Sequence, residues 1–166
     1  RGLGDVYKRQ RESQLNCFQN QILIAKELDL PIIVHDRQSK GDTLKVLKDM
    51  NVTKGVIHCF SGSAETAKIL INMGFMISFT GVITFKNAKR AIEALKVIPI
   101  ERLMIETDSP YMAPEPFRGR RNDSRYVKYV AEKMAEVKGI ELEQLCEITY
   151  QNGLKFFNIT KEENIQ

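Results

Sequence analysis

Short apolar runs recur along the chain, and each ends on a residue able to do chemistry. Leu30-Pro31-Ile32-Ile33-Val34 stops at His35, Gly55-Val56-Ile57 stops at His58, and Leu103-Met104-Ile105 runs into Glu106-Thr107-Asp108. Runs of β-branched and long aliphatic residues bounded by Pro or Gly read as strands buried on both faces, as in parallel α/β sheets. The pattern predicts strands over 30–35, 55–59, 75–80 and 102–107. Between them the apolar period changes to that of a helix. Leu15, Phe18, Ile22, Ala25 and Leu28 predict a helix over 12–28, stopped by Pro31. Leu44, Leu47 and Met50 predict a second that ends near Asn51. Ser63 as N-cap, Glu65 in the first turn and Gly74 as the stop delimit a third, and a fourth runs from about Ala88 to Leu95. Ser109 to Asn122 holds three prolines and is the longest predicted loop. Beyond it Asp123 or Ser124 caps a helix bearing Val127, Val130, Ala131, Met134 and Val137, which Gly139 ends. Two short helices, 141–150 and 152–157, close the chain.

This alternation predicts an α/β fold with four parallel strands and flanking helices. A doubly wound nucleotide binder would carry a glycine-rich phosphate loop, and neither G-x-G-x-x-G nor G-x-x-x-x-G-K-[ST] occurs. A partial (β/α)8 TIM barrel is therefore the expected architecture. A complete barrel needs about 250 residues; 166 residues with four strands supply half of one.

Composition excludes several classes. No apolar stretch approaches the ~20 residues of a membrane span, and no secretory signal opens the chain. Cys17, Cys59 and Cys146 form no C-x-x-C pair, so reduced thiols in a cytoplasmic protein are expected. Asn51, Asn122 and Asn158 open N-x-S/T matches that carry little weight without a secretory signal. The net charge is +4, but residues 1–11 contribute three of those four charges. Global basicity thus says nothing about nucleic acid. A local cluster does: Arg118, Arg120, Arg121, Arg125 and Lys128, opposed only by Asp123, follow directly after the Asp108 strand.

In parallel sheets the strand C-termini share one rim, where active sites sit. His35, His58 and Asp108 converge there, and two imidazoles with a carboxylate point to a divalent metal. Alternation along a strand sets Arg37 beside His35 and Glu106 beside Asp108, with Cys59 and Thr107 facing away. A bound ion lowers the pKa of water from ~15.7 to about 7. For a phosphodiester, Arg37 or the arginines at 118, 120 and 121 supply positive charge for the non-bridging oxygens. Two alternatives stay open: Arg37 pairs with a neighbouring acid, and Glu106 only orients a metal ligand.

The strings LPIIVHDR, GVIHCFSGS, ISFTGVITFKNA and LMIETDSPYMAPEPFRGRRN resemble those of the TatD family of metal-dependent deoxyribonucleases, from about residue 12 to Ile159. The resemblance implies an amidohydrolase-type barrel with two divalent metals (Zn, Mn or Mg) that cleaves DNA, commonly as a 3′-5′ exonuclease. By it, this chain supplies the C-terminal half, strands five to eight. His35 and His58 then bind one metal; Asp108 binds the other and orients or deprotonates the attacking water. The family's first-strand His-x-His and bridging Glu are absent from these residues. Residues 1–11 read as a foreign or misread lead-in, and 160–166 as a tail. Two further expectations follow for the chain as it stands: an inert half-barrel whose open sheet edges self-associate, and metal binding no tighter than micromolar. An amidohydrolase acting on a small ester, amide or phosphotriester is the competing enzymatic reading.

Overall fold

The computed structural model describes residues 11–37, 39 and 41–159. The expected lead-in over 1–10 and the tail after 159 lie outside the described residues. Arg11, the last residue assigned to that lead-in, is the first described residue and already lies in a helix, where its guanidinium pairs with Asp42 at 2.5 Å.

The described residues form, in chain order, α1 (Arg11–Glu27), β1 (Ile32–His35), α2 (Asp42–Asp49), β2 (Gly55–His58), α3 (Ala64–Asn72), β3 (Met76–Phe79), α4 (Lys89–Val97), β4 (Leu103–Ile105), α5 (Val127–Lys138) and α6 (Leu142–Phe156). The strands pair in chain order into one parallel sheet. Parallel neighbours need a crossover, and α2, α3 and α4 provide it. Register places His35 directly beside His58, Val56 beside Met76, and Phe79 beside Ile105. The strand ends therefore lie on one rim.

Burial follows position in the sheet. All four residues of β3 are buried, as are three of the four in β2. The helices cover the sheet through a core that includes Leu47, Phe75, Ile77, Phe79, Leu95, Leu103, Met134 and Leu145. The expectation of burial on both faces fails at β1, where Ile33 is 63% exposed and His35 is also exposed. β1 is an edge strand, and among the described residues nothing covers its second face.

Helix signals in the sequence translate directly. The Ser63 hydroxyl accepts the Thr66 N–H at 3.2 Å at the start of α3, and Gly139 ends α5 in the left-handed conformation with φ of 67°. The predicted pair of closing helices is instead one helix, α6. Gly153 inside it does not stop it, because Asn152 donates from Nδ2 to the carbonyls of Ile100 and Leu103 at 2.9 and 2.8 Å and pins the helix to β4. Single 3-10 turns, too short to show an apolar period, lie at Gly81–Thr84, Ile100–Arg102 and Ser124–Tyr126. Among the described residues no helix is long and apolar enough to cross a membrane.

Candidate metal centre at the strand rim

His58 is the best organised group on the rim. It closes β2, and its ring lies 5.4 Å from that of His35, centroid to centroid, because parallel register makes the two residues neighbours. Nδ1 of His58 donates to Glu106 Oε2 at 2.5 Å. The other oxygen of that carboxylate accepts the Cys59 N–H at 2.6 Å. Glu106 is thus held at both oxygens and fixes ring orientation and tautomer together. With the proton on Nδ1, the Nε2 lone pair faces Asp108, whose Oδ1 lies 3.3 Å away.

Glu106 and Asp108 reach these positions beyond the regular end of β4. The strand stops at Ile105 rather than 107, although the Glu106 N–H still donates to the Phe79 carbonyl at 3.1 Å. Asp108 then turns left-handed with φ of 55°, and Cys59 does so after β2 with φ of 49°. Simple alternation ends at Glu106, and the turn sets the direction of Asp108. The Cys59 thiol lies 3.3 Å from the Thr80 hydroxyl.

Electrostatics at this point favour positive charge. The hydrogen bond to Glu106 raises the His58 pKa above its ordinary 6.5 against the opposing effect of burial, and the charges of Glu106 and Asp108 add to the rise. A proton or a divalent cation satisfies the same two acceptors. Donor chemistry and the carboxylate behind the histidine fit a metal ligand of the carboxylate–histidine type. Number does not: among the described residues no three His, Cys, Asp or Glu side chains close on one point as a metal cage. A catalytic zinc site takes about three protein ligands. The described residues therefore fit part of a metal centre.

Arg37 is exposed beyond β1 and forms no ion pair among the described residues. In the loop after β4, the Arg118 guanidinium lies 4.3 Å over the Phe85 ring, while Arg120 and Arg121 are exposed. Asp123, the sole acid of that cluster, is taken by Arg125 at 2.8 Å, which leaves the other three arginines unopposed by it. The loop folds back onto the turn after β3: the Glu115 N–H donates to the Thr84 hydroxyl at 2.8 Å, and a Cβ on Gly81 would lie 2.1 Å from the Met112 carbonyl oxygen. His35, His58, Glu106 and Asp108 are thus gathered at the rim. Asn122, which the sequence marks only by its N-x-S match, is buried at the end of the loop after β4, 4% exposed.

Comparison with known proteins agrees with this architecture. A family model described as TatD related DNase matches residues 2–158. The uncharacterized metal-dependent hydrolase YabD of Bacillus subtilis is 47% identical over 154 residues, which cover 92% of this chain and 60% of that protein. Its counterpart YcfH of Escherichia coli is 45% identical over 153 residues, covering 91% and 56%. Among solved structures, YJJV, a TatD homolog from Escherichia coli, superposes with a TM-score of 0.86 at 27% identity over 94% of this chain and 61% of that one. A TatD family hydrolase from Entamoeba histolytica gives 0.82 at 26% identity, covering 93% and 60%. The chain spans about 60% of the length of the relatives it matches, and its four parallel strands and flanking helices correspond to that share of a TatD barrel. From a family match over nearly all its residues and relatives above 40% identity, the chain belongs to the TatD-related DNase family of metal-dependent hydrolases.

Proposed function

We propose that a protein of family length carrying this segment hydrolyses DNA phosphodiester bonds, removing nucleotides from the 3′ end. One observation carries the reading: His58, clamped by Glu106, turns Nε2 toward Asp108 on the rim from which the arginine loop departs. In this reading His35 and His58 hold one divalent cation, and Asp108 borders a second. Bound Zn, Mn or Mg would supply Lewis-acid polarisation of the phosphate and a more acidic water. Glu106 keeps the His58 ring from rotating and keeps its Nε2 unprotonated when neutral. Asp108, with its side chain 29% exposed, orients the attacking water and accepts its proton. Arg118, Arg120 and Arg121 bind non-bridging phosphate oxygens, with Arg37 contributing from just beyond β1. That positive charge favours an anionic polymer over a small neutral ester.

The test uses the family-length protein with 5′-labelled single- and double-stranded oligonucleotides and added Mg, Mn or Zn. The expected result is a ladder shortened from the 3′ end that disappears with a chelator and in His58→Ala and Asp108→Asn. Turnover of p-nitrophenyl esters without DNA cleavage would replace this reading with the small-ester one.

A further inference from the structure

The loop from 109 to 122 has Asp108 at one end and Arg118, Arg120 and Arg121 toward the other, yet it contains no regular element to hold them. A single buried side chain closes it. Asn122 donates from Nδ2 to the Thr107 carbonyl at 2.7 Å and to the Tyr111 carbonyl at 2.6 Å. Its Oδ1 accepts the Asp123 N–H at 2.9 Å, and its own N–H donates to the Pro110 carbonyl at 3.0 Å. Both donors and the acceptor of the amide are in use. The residue immediately before Asp108 and the one three beyond it are therefore fastened to one point. Between them Asp108 adopts its left-handed conformation, with its carbonyl accepting the Tyr111 N–H at 2.8 Å. Aspartate tolerates this conformation better than most residues, and the ties at Thr107 and Tyr111 hold the turn on either side of it.

We propose that Asn122 is a positioning residue: it clamps the 107–111 turn, keeps the Asp108 carboxylate 3.3 Å from His58, and fixes Arg120 and Arg121 to the same turn. Chemistry selects the residue type. Two carbonyls require two donors, and the Asp123 N–H requires an acceptor. Aspartate lacks the donors, serine has only one, and glutamine would carry its amide a methylene further than the three bonds made here allow. The inference rests on the geometry of the turn and not on the reaction proposed above. DNA cleavage can fail while the clamp stands, and the reverse.

The experiment compares the 166-residue chain with Asn122→Ala, Asn122→Asp and Asn122→Ser by amide hydrogen exchange, and by a crystal structure of the Asp variant. Thr149→Val serves as a control, since it removes a buried hydroxyl bond to the Leu145 carbonyl inside α6, away from the loop. The Tyr111 amide should exchange at least about tenfold faster in the Ala and Asp variants and less so in Ser, while amides of β2 and β3 stay protected. Asn122→Asp retains an acceptor for the Asp123 N–H, so its failure would separate the clamp from the start of the following helix. The His58 Nε2 to Asp108 distance should lengthen in its crystal structure. An unchanged Tyr111 rate, an unchanged distance, or the same acceleration in strand amides and in Thr149→Val would overturn the proposal.

Discussion

The carboxylate of Glu106 faces two donors, the His58 ring and the Cys59 N–H, and this double attachment makes a testable statement about pH. In metal-free protein His58 should titrate above its ordinary 6.5, chiefly because of the bond to Glu106. A folded-state pKa above the unfolded value adds stability that is fully present below the unfolded pKa and is lost as pH rises through the folded one. Glu106→Gln should bring the His58 midpoint down, followed by ring NMR, and should narrow its stability gap to the parent as pH rises from about 5 to 9. An unmoved midpoint in the variant would sink this account. Metal binding carries the opposite sign, since a cation needs the Nε2 lone pair that a proton occupies. Zinc affinity measured by calorimetry should therefore weaken in acid, and with so few converging ligands it should be no tighter than about 1 μM. A nanomolar dissociation constant would show that the described residues form a fuller site than their spacing indicates. Much of this was legible in the sequence, because strand-end histidines and carboxylates follow from the apolar runs. The clamp on His58 was less so: alternation put Glu106 on the right side, but its two partners depend on how far β4 continues beside β3.

At the scale of elements, the long loop is held by contacts that periodicity cannot reveal. Gly81 lies where the turn after β3 meets that loop, and a methyl group there would sit 2.1 Å from the Met112 carbonyl oxygen and 2.7 Å from the Pro114 nitrogen. Both are backbone atoms and cannot rotate away. Gly81→Ala should therefore displace the loop and cost about 1–3 kcal/mol, read as a lowered denaturation midpoint with unchanged far-UV spectrum. A variant as stable as the parent would mean the loop is not seated against this turn in solution. Asn152 is the corresponding tie at the other end of β4. Asn152→Ala leaves the Ile100 and Leu103 carbonyls without their side-chain donor and should destabilise by about 1–3 kcal/mol. A loss below about 0.5 kcal/mol would make it a surface contact. The same bonds explain the misread chain end. Residues 141–157 carry a Gly and several polar residues that locally suggest a break, whereas the tie to β4 acts over some fifty residues and leaves no local signature.

For the whole molecule, the parallel sheet, its order and its rim followed from the alternation of strands and helices, since right-handed crossovers with short loops leave few other arrangements. Open sheet edges also followed, from four strands making only half a barrel, but the exposed face of β1 did not. Apolar runs read as buried strands whether or not a neighbour is present, and Ile33 at 63% and Leu30 at 55% exposure show the difference. Leu23, Ile24 and Leu28 on the end of α1 and the turn after it are likewise 49–60% exposed, so bare apolar side chains are concentrated in the segment that leads into β1, an edge strand among the described residues. Among the described residues the opposite edge is also open, and beside β4 lies an apolar groove of about 420 Å³ lined by Met104, Ile105, Val127, Tyr150, Leu154 and Ile159. Two open edges with bare apolar groups nearby are templates for further pairing. The 166-residue chain should therefore self-associate as concentration rises, and sedimentation velocity is the direct measurement. A lysine placed on the bare edge desolvates poorly and opposes strand addition, so Ile33→Lys should shift the distribution toward monomer without lowering the melting temperature, because position 33 contributes little buried area. If parent and variant are both monomeric over the whole range, the exposed edges are already satisfied in solution, and the expectation of association is wrong. If only the melting temperature falls, Ile33 is packed in solution and the edge is covered from within the chain.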